Sequence, residues 1–280
     1  MDYHGLFLLQ CQPYLCQMQQ EELFELLERK YQQFNQPGFI ESDPITIPHR
    51  FSRKEDIEIA GFFAAILAWG QRKTIINKCT ELFELMDNSP YEFILNHQDE
   101  DLKQFQNFKH RTFNDTDTLY FIEALKSIYK NHNGLEGAFS KRLSSNDDSV
   151  KNALISFKDI FFNLPDFPER TQKHISSPAR NSACKRINMY LRWMVRKDDK
   201  GVDFGLWEGI KTSQLICPCD VHVERTAKLL GLTTLEKPNW KMAEQITENL
   251  KAFDSEDPVK YDFALFGLGI EKYFESGISS

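Results

Sequence analysis

The chain has 280 residues, 41% hydrophobic and 13% aromatic, with 23 phenylalanines, which excludes a disordered protein and leaves room for one large domain or two modest ones. Its formal net charge of −7 argues against a uniformly basic nucleic-acid binder. The first residues lack the basic start of a signal peptide and the longest apolar run, residues 60–69, is too short to span a bilayer, so a cytoplasmic protein with no membrane partner and reduced cysteines is expected.

The average charge hides an asymmetry. Between Lys173 and Lys200 stand eight Lys and Arg against two acids, a local balance of +6 that leaves −13 on the rest of the chain. A basic segment on an acidic body can still hold phosphate, because screening limits repulsion to roughly 8 to 10 Å.

Helical periodicity dominates from the start. Residues 21–34 (EELFELLERKYQQF) present an apolar face at helical spacing, ended by Pro37 and Gly38. Residues 40–53 hold two prolines and read as a loop or extended segment. Residues 54–69 (KEDIEIAGFFAAILAW) begin acidic, as a helix start favours, and become apolar on every side, as a core helix requires. Gly70 stops it, residues 71–86 resume the helical period, and Asn88-Ser89-Pro90 opens a short helix to Leu95.

Residues 101–113 are charged and aromatic with weak periodicity. Asp115 and Asp117 suit the cap of a helix over 118–130. A helix over 150–162 and a proline-containing loop over 164–177 follow. Pro178 opens a predicted helix that runs to Arg196 with basic residues near its end. Asp198 to Gly201 is a turn, and 202–210 a short amphipathic piece. Cys217-Pro218-Cys219 is extended, since the residue before proline avoids the α region. Helices over 221–230, 240–251 and 258–266 complete the chain. The expected fold is all-α, with two helical lobes about a central cleft. Residues 1–53 form an N-terminal helix and extended loop, and residues 54–280 a helical core that makes one unit with them. Gly267 and Gly269 in FALFGLGI suggest packing rather than binding.

Two features carry chemistry. On the predicted helix through 183–196, Lys185, Arg192 and Arg196 fall on one stripe, away from the apolar face of Ile187, Tyr190, Leu191 and Met194. Such a stripe is either a solvated charged face or a track for phosphates. Asp220 stands between an extended segment and a helix. An N-cap role accounts for its residue type and leaves open whether the carboxylate also faces a cleft.

Here the residues reach a resemblance. CDVHVERTAKLLGL (219–232) resembles the aspartate-bearing VDTHV…R…LGL motif of the helix-hairpin-helix DNA glycosylase superfamily, typified by endonuclease III. ACKRINMYLRWMV (183–195) is similar to the superfamily helix that starts with a catalytic lysine. GFFAAILAWGQRKTIINKCTELFE (61–84) and HRTFNDTDTLYFIEALKSIYKNHNG (110–134) resemble its upstream helices in the same order. The chain also resembles an uncharacterised bacterial family of that type.

The resemblance implies a two-lobed glycosylase-like fold and a DNA base-excision glycosylase, with or without AP-lyase activity, that removes a damaged (for instance oxidised) base. It implies Lys185 and Asp220 as catalytic residues. Gln71, with Arg72 and Lys73 beside it, matches the glutamine that fills the space of the extruded base. DNA contacts fall to Ser177, Arg180, Asn181, Arg186, Arg192, Arg196 and His222. The partner implied is double-stranded DNA with a damaged base, bound by a monomer without cofactor or metal. In the implied mechanism the unprotonated Lys185 amine attacks the sugar C1′ to form a Schiff base, and Asp220 stabilises the cationic sugar or shuttles protons. Trp69 or Trp193 could stack on the base.

The sequence departs from the pattern in three places. The glycine-rich hairpin is replaced by HISSPARNSACKR (174–186), which has no glycine. Lys185 and Asp220 are 35 residues apart because residues 198–214 are inserted, a longer spacing also met in an archaeal branch that handles 8-oxoguanine. No cysteine follows Cys219, so the four-cysteine iron–sulfur loop is absent, and Cys184, Cys217 and Cys219 make at most three of the four ligands of a structural zinc. His49 and His110, beside arginines, read as surface-loop residues. Two other readings stay open: a non-catalytic nucleic-acid-binding protein with the glycosylase fold, and an enzyme acting on RNA or a nucleotide.

Overall fold

The computed structural model describes residues 19–271, so Cys11 and Cys16 lie outside the described residues. Among the described residues the protein is all-α, with short 3-10 turns and a single two-stranded hairpin between the helices. In chain order these are α1 (Gln20–Phe34), α2 (Lys54–Leu67), α3 (Arg72–Glu84), α4 (Pro90–Asn96), β1 (Lys109–His110), β2 (Phe113–Asn114), α5 (Asp115–Asn131), α6 (Gly134–Ser140), α7 (Lys151–Phe161), α8 (Lys185–Val195), α9 (Val221–Leu229), α10 (Trp240–Lys251) and α11 (Asp262–Ile270). None of the described helices is long and apolar enough to cross a membrane.

Helix α2 is the hub. Every residue from Ile57 to Leu67 is buried, as its all-round apolar sequence requires. Gly61 lets α8 lie close against it: a Cβ there would stand 3.0 Å from Met194 Cε. Phe62 meets the rings of Phe121, Phe157, Phe161 and Tyr190 at 5.5 to 5.9 Å, which is where much of the phenylalanine content is spent. The exception on this helix is Glu58, only 2% exposed. Its Oε1 accepts from Trp207 Nε1 and its Oε2 from the Tyr129 hydroxyl, both at 2.7 Å. Burial pushes the Glu58 carboxyl above its usual range, with these two bonds opposing.

Residues 202–210, the short amphipathic piece, form no helix, and a 3-10 turn follows at Thr212–Gln214. They close off the C-terminal end of α8: the amides of Phe204, Leu206 and Trp207 donate to the carbonyls of Trp193 and Met194 at 2.7 to 3.0 Å. Those carbonyls have no partner within the helix, and this segment supplies one. The predicted loop over 40–53 is instead a run of 3-10 turns beginning with Pro37, Pro44 and Pro48, where proline's fixed φ suits a first helical position. Residues 101–113 form a 3-10 turn and then the β1–β2 hairpin, and α6 falls between the helices expected over 118–130 and 150–162, where no helix is predicted. Helix α5 starts at Asp115 rather than 118, with Asn114 as the cap in a box with Asp117.

Helix α1 packs along α11. Gly267 makes this possible, since a Cβ there would fall 2.1 Å from Phe34 Cδ2. Lys30 Nζ reaches Glu271 at 2.6 Å across the same seam.

Candidate functional site

A cleft of about 800 Å³ gathers the starts of four helices, α3, α8, α9 and α11, and the turn at Asp43–Pro44. Helix starts carry partial positive charge, and two of these four are matched by a carboxylate, Asp220 before α9 and Asp262 opening α11.

Lys185 and Asp220 both line this cleft. The helix predicted from Pro178 to Arg196 is interrupted. A 3-10 turn, Pro178–Arg180, ends at Asn181 with φ 54°, and Cys184 at φ 51° precedes α8. Two left-handed residues thus turn the chain into α8 without a glycine, at a cost of roughly 1 kcal/mol or more each for a residue with a Cβ. The break makes Lys185 the first residue of α8, with its Nζ 3.5 Å from Met189 Sδ. Asp220 caps α9 as expected: its Oδ1 accepts from the amides of His222 at 2.9 Å and Val223 at 3.0 Å. Its Oδ2 accepts no hydrogen bond from any described residue, so the cap leaves one oxygen for the cleft.

The basic stripe is not a phosphate track. Arg192 is 4% exposed and Arg196 1%, because each is wrapped by carboxylates. Arg192 Nη1 donates to Asp262 and its Nε lies 3.2 Å from Asp203. Arg196 meets Asp198, Asp203 and Asp257 at 2.6 to 3.1 Å. Arg192 still reaches the cleft wall, but Arg196 is enclosed and cannot meet a phosphate.

Arg72, Arg186 and His222 also line the cleft. Arg186 is tied down, donating to the carbonyls of Ile66 and His174, and burial pulls its guanidinium down to about 10. Arg72 lies over the Phe266 ring at 5.0 Å and 3.8 Å from Asp43. Gln71 is exposed as the residue before α3, beside Gly70 on the rim, and Lys73 is exposed one turn position on. Arg180 and Asn181 are exposed on the turn before α8. Ser177 is buried, its hydroxyl oxygen accepting from the Ala179 amide, and burial keeps it from meeting a phosphate. Trp193 is fully buried and cannot stack on a base. Trp69 sits at the wall, with the guanidiniums of Arg186 and Arg111 at 5.2 and 5.7 Å from its ring. His110 is buried rather than on a surface loop.

The sequence reading missed Asp43 and Asp262. Each is at most 8% exposed and lines the cleft. Burial raises both carboxyls, that of Asp262 to about 6, while Arg192 and Lys185 pull them back. Asp220 adds to the rise at Asp262, so Lys185, Asp220 and Asp262 share one field. A lone acid opening an otherwise apolar helix (DFALFGLGI) was the available signal. That helix was expected only to pack; Phe263, Phe266 and Ile270 line the cleft as well. With Arg72, Lys185, Arg186 and Arg192 facing Asp43, Asp220, Glu224 and Asp262, the walls carry balanced charge. Cys217 and Cys219 are buried beside them, with Sγ atoms 3.9 Å from Asp262 Oδ1 and Met242 Sδ respectively.

Residues 43–271 match a family model described as protein of unknown function (DUF2400). The chain belongs to that family. No curated protein and no solved structure matches the chain. Within the DUF2400 match fall all the residues that line the cleft except Phe39.

Proposed function

We propose that the cleft is the base pocket of a DNA base-excision glycosylase with Schiff-base chemistry, in which Lys185 is the nucleophile and Asp220 the supporting carboxylate. The observation that carries this reading is their convergence. Two residues 35 positions apart line one aromatic-walled cleft of about 800 Å³, a size that accepts a nucleobase with its sugar. An extruded nucleotide enters at a cost of a few kcal/mol, smallest for a lesion.

The unprotonated Lys185 Nζ forms a bond to the sugar C1′. The C1′–N bond to the base breaks, and the base leaves with that electron pair and takes up a proton. The attached nitrogen then gives up a proton, the C1′–O4′ bond opens with O4′ receiving one, and a C1′=N iminium remains. The free Asp220 oxygen offsets the positive charge that builds at C1′. In this reading the protein works in the cytoplasm as a monomer on duplex DNA.

Borohydride trapping on a panel of lesion duplexes tests the proposal. A covalent adduct is expected with the natural chain and none with Lys185→Gln. An absence of adduct on every lesion, with Lys185→Gln indistinguishable from the natural chain, overturns the chemistry. Salt-sensitive duplex binding surviving in that case would indicate a non-catalytic nucleic-acid-binding protein, and binding only to RNA or a nucleotide would redirect the substrate.

A further inference from the structure

The β1–β2 hairpin pairs Lys109 with Asn114 and His110 with Phe113, which leaves Arg111-Thr112 as a two-residue loop. Arg111 holds φ 56°, in the left-handed region. A two-residue hairpin loop that needs positive φ at its first position favours Gly, Asn or Asp. This chain places an arginine there, against the local preference, and such conflicts between residue and backbone concentrate at functional positions.

The arginine is also aimed. The hairpin is fastened to the cleft rim by His110, whose Nε2 lies 3.2 Å from the Trp69 carbonyl oxygen, and its loop is held by Arg170, which donates to the Thr112 carbonyl at 3.0 Å and to Asn114 and Asp117. Arg111 lies across the rim at Gly70, whose own φ is 108° and whose missing Cβ leaves room for Arg111 Nη1 at 3.0 Å. Arg111 is exposed, its guanidinium 5.7 Å from the Trp69 ring centre, and it takes part in no ion pair among the described residues. Lys109 on the same hairpin and Lys73 beyond Gly70 and Gln71 are likewise exposed and without an ion pair among the described residues. The nearest acid on this hairpin's flank, Asp115, is engaged by the amides of Asn107 and Thr116.

The geometry points to the Arg111 hairpin tip, with Lys109 and Lys73, as the surface that grips the backbone phosphates of the nucleic-acid strand entering the cleft. It takes the place that the basic stripe on α8 cannot fill, since Arg192 and Arg196 are buried in ion pairs. This surface rests on the proposal that the cleft receives a nucleotide, but it is separable from the Lys185 chemistry. Phosphate neutralisation appears as salt dependence, with a slope of about 0.9 per contact on duplex DNA.

The test is duplex binding by fluorescence anisotropy over a salt series, with Lys130 as a control cation at the far end of α5, about 22 Å along the helix from the hairpin side. Arg111→Gln is expected to weaken binding and lower the salt slope by about 0.9, and Arg111→Lys to restore the slope. Lys130→Gln is expected to change neither. Arg111→Gly is expected to weaken binding while raising the thermal midpoint, because the left-handed strain is relieved. An unchanged slope in Arg111→Gln, or no salt-dependent binding by the natural chain, overturns this surface. Borohydride trapping at saturating protein is read in parallel. A trapped adduct with an unchanged slope defeats the surface alone, and a reduced slope without any adduct defeats the lyase chemistry alone.

Discussion

Arg192 donates to Asp262 on the cleft wall while its Nε faces Asp203, a residue of the segment that follows α8. That segment therefore reaches the cleft through one buried side chain. Removing that cation leaves the buried Asp262 without its ion-pair partner and Asp203 with Arg196 alone. Arg192→Leu is expected to lose about 3 to 5 kcal/mol of stability in urea denaturation. Arg192→Leu combined with Asp203→Leu and Asp262→Asn is expected to lose less than Arg192→Leu alone. A larger loss in the combined variant would show that the charges themselves are not the cause.

Asp262 gives stability a pH dependence of known sign. Burial pushes its carboxyl up to about 6 from 3.8, against the pull of Arg192. An acid whose folded value is raised stabilises the fold fully below about pH 4 and loses that contribution as pH rises through about 6. The stability of the natural chain minus that of Asp262→Asn should fall by about 1 to 3 kcal/mol between pH 4 and pH 7. Thermal or urea midpoints of both chains across that range measure it, and a difference that rises with pH would contradict the burial argument.

Asp220 combines a cap with a proposed chemical role, and one substitution separates them. Asparagine caps as well as aspartate, so Asp220→Asn should keep stability to within about 0.5 kcal/mol while losing trapped adduct. Asp220→Ala should lose the adduct and about 1 kcal/mol of stability. Equal adduct yield from the natural chain and Asp220→Asn would confine this residue to capping.

Much of the helical framework was legible. The apolar run of α2 and the cap at Asp220 are local signals that mark the same places in the structure, while α2 ends at Leu67 with Ala68 as its C-cap, ahead of Gly70. Asp43 and Asp262 were not legible, because burial and proximity to Arg192 depend on segments far apart in the chain. The same holds for Arg192 and Arg196. On a helical wheel they form a charged stripe, and only the carboxylates of residues 198–262 turn that stripe inward. The left-handed Cys184 was invisible because cysteine does not announce a turn, whereas Asn181 is of a residue type that tolerates the left-handed region. The role of Arg111 was hidden because an arginine in a hairpin loop contradicts the rule by which hairpins are read.

The seam between α1 and α11 offers a packing test. Gly267→Ala would drive a methyl group into the Phe34 ring. A loss of about 1 to 3 kcal/mol is expected, partly recovered when Phe34→Leu is combined with it. A double-mutant cycle reads the coupling, and additivity of the two changes would refute the contact.

The four described cysteines, Cys79, Cys184, Cys217 and Cys219, all lie in the interior, and burial pushes the thiols of Cys79, Cys184 and Cys219 up to about 12. Only an accessible thiolate attacks a disulfide-exchange reagent, displacing its leaving thiolate. With Cys11 and Cys16 replaced by serine, each remaining sulfur becomes a clock for the opening of its own neighbourhood. Cys217 and Cys219 time the release of the segment that carries Asp220, and Cys79 times the release of α3, so labelling rates would rank which wall of the cleft breathes first.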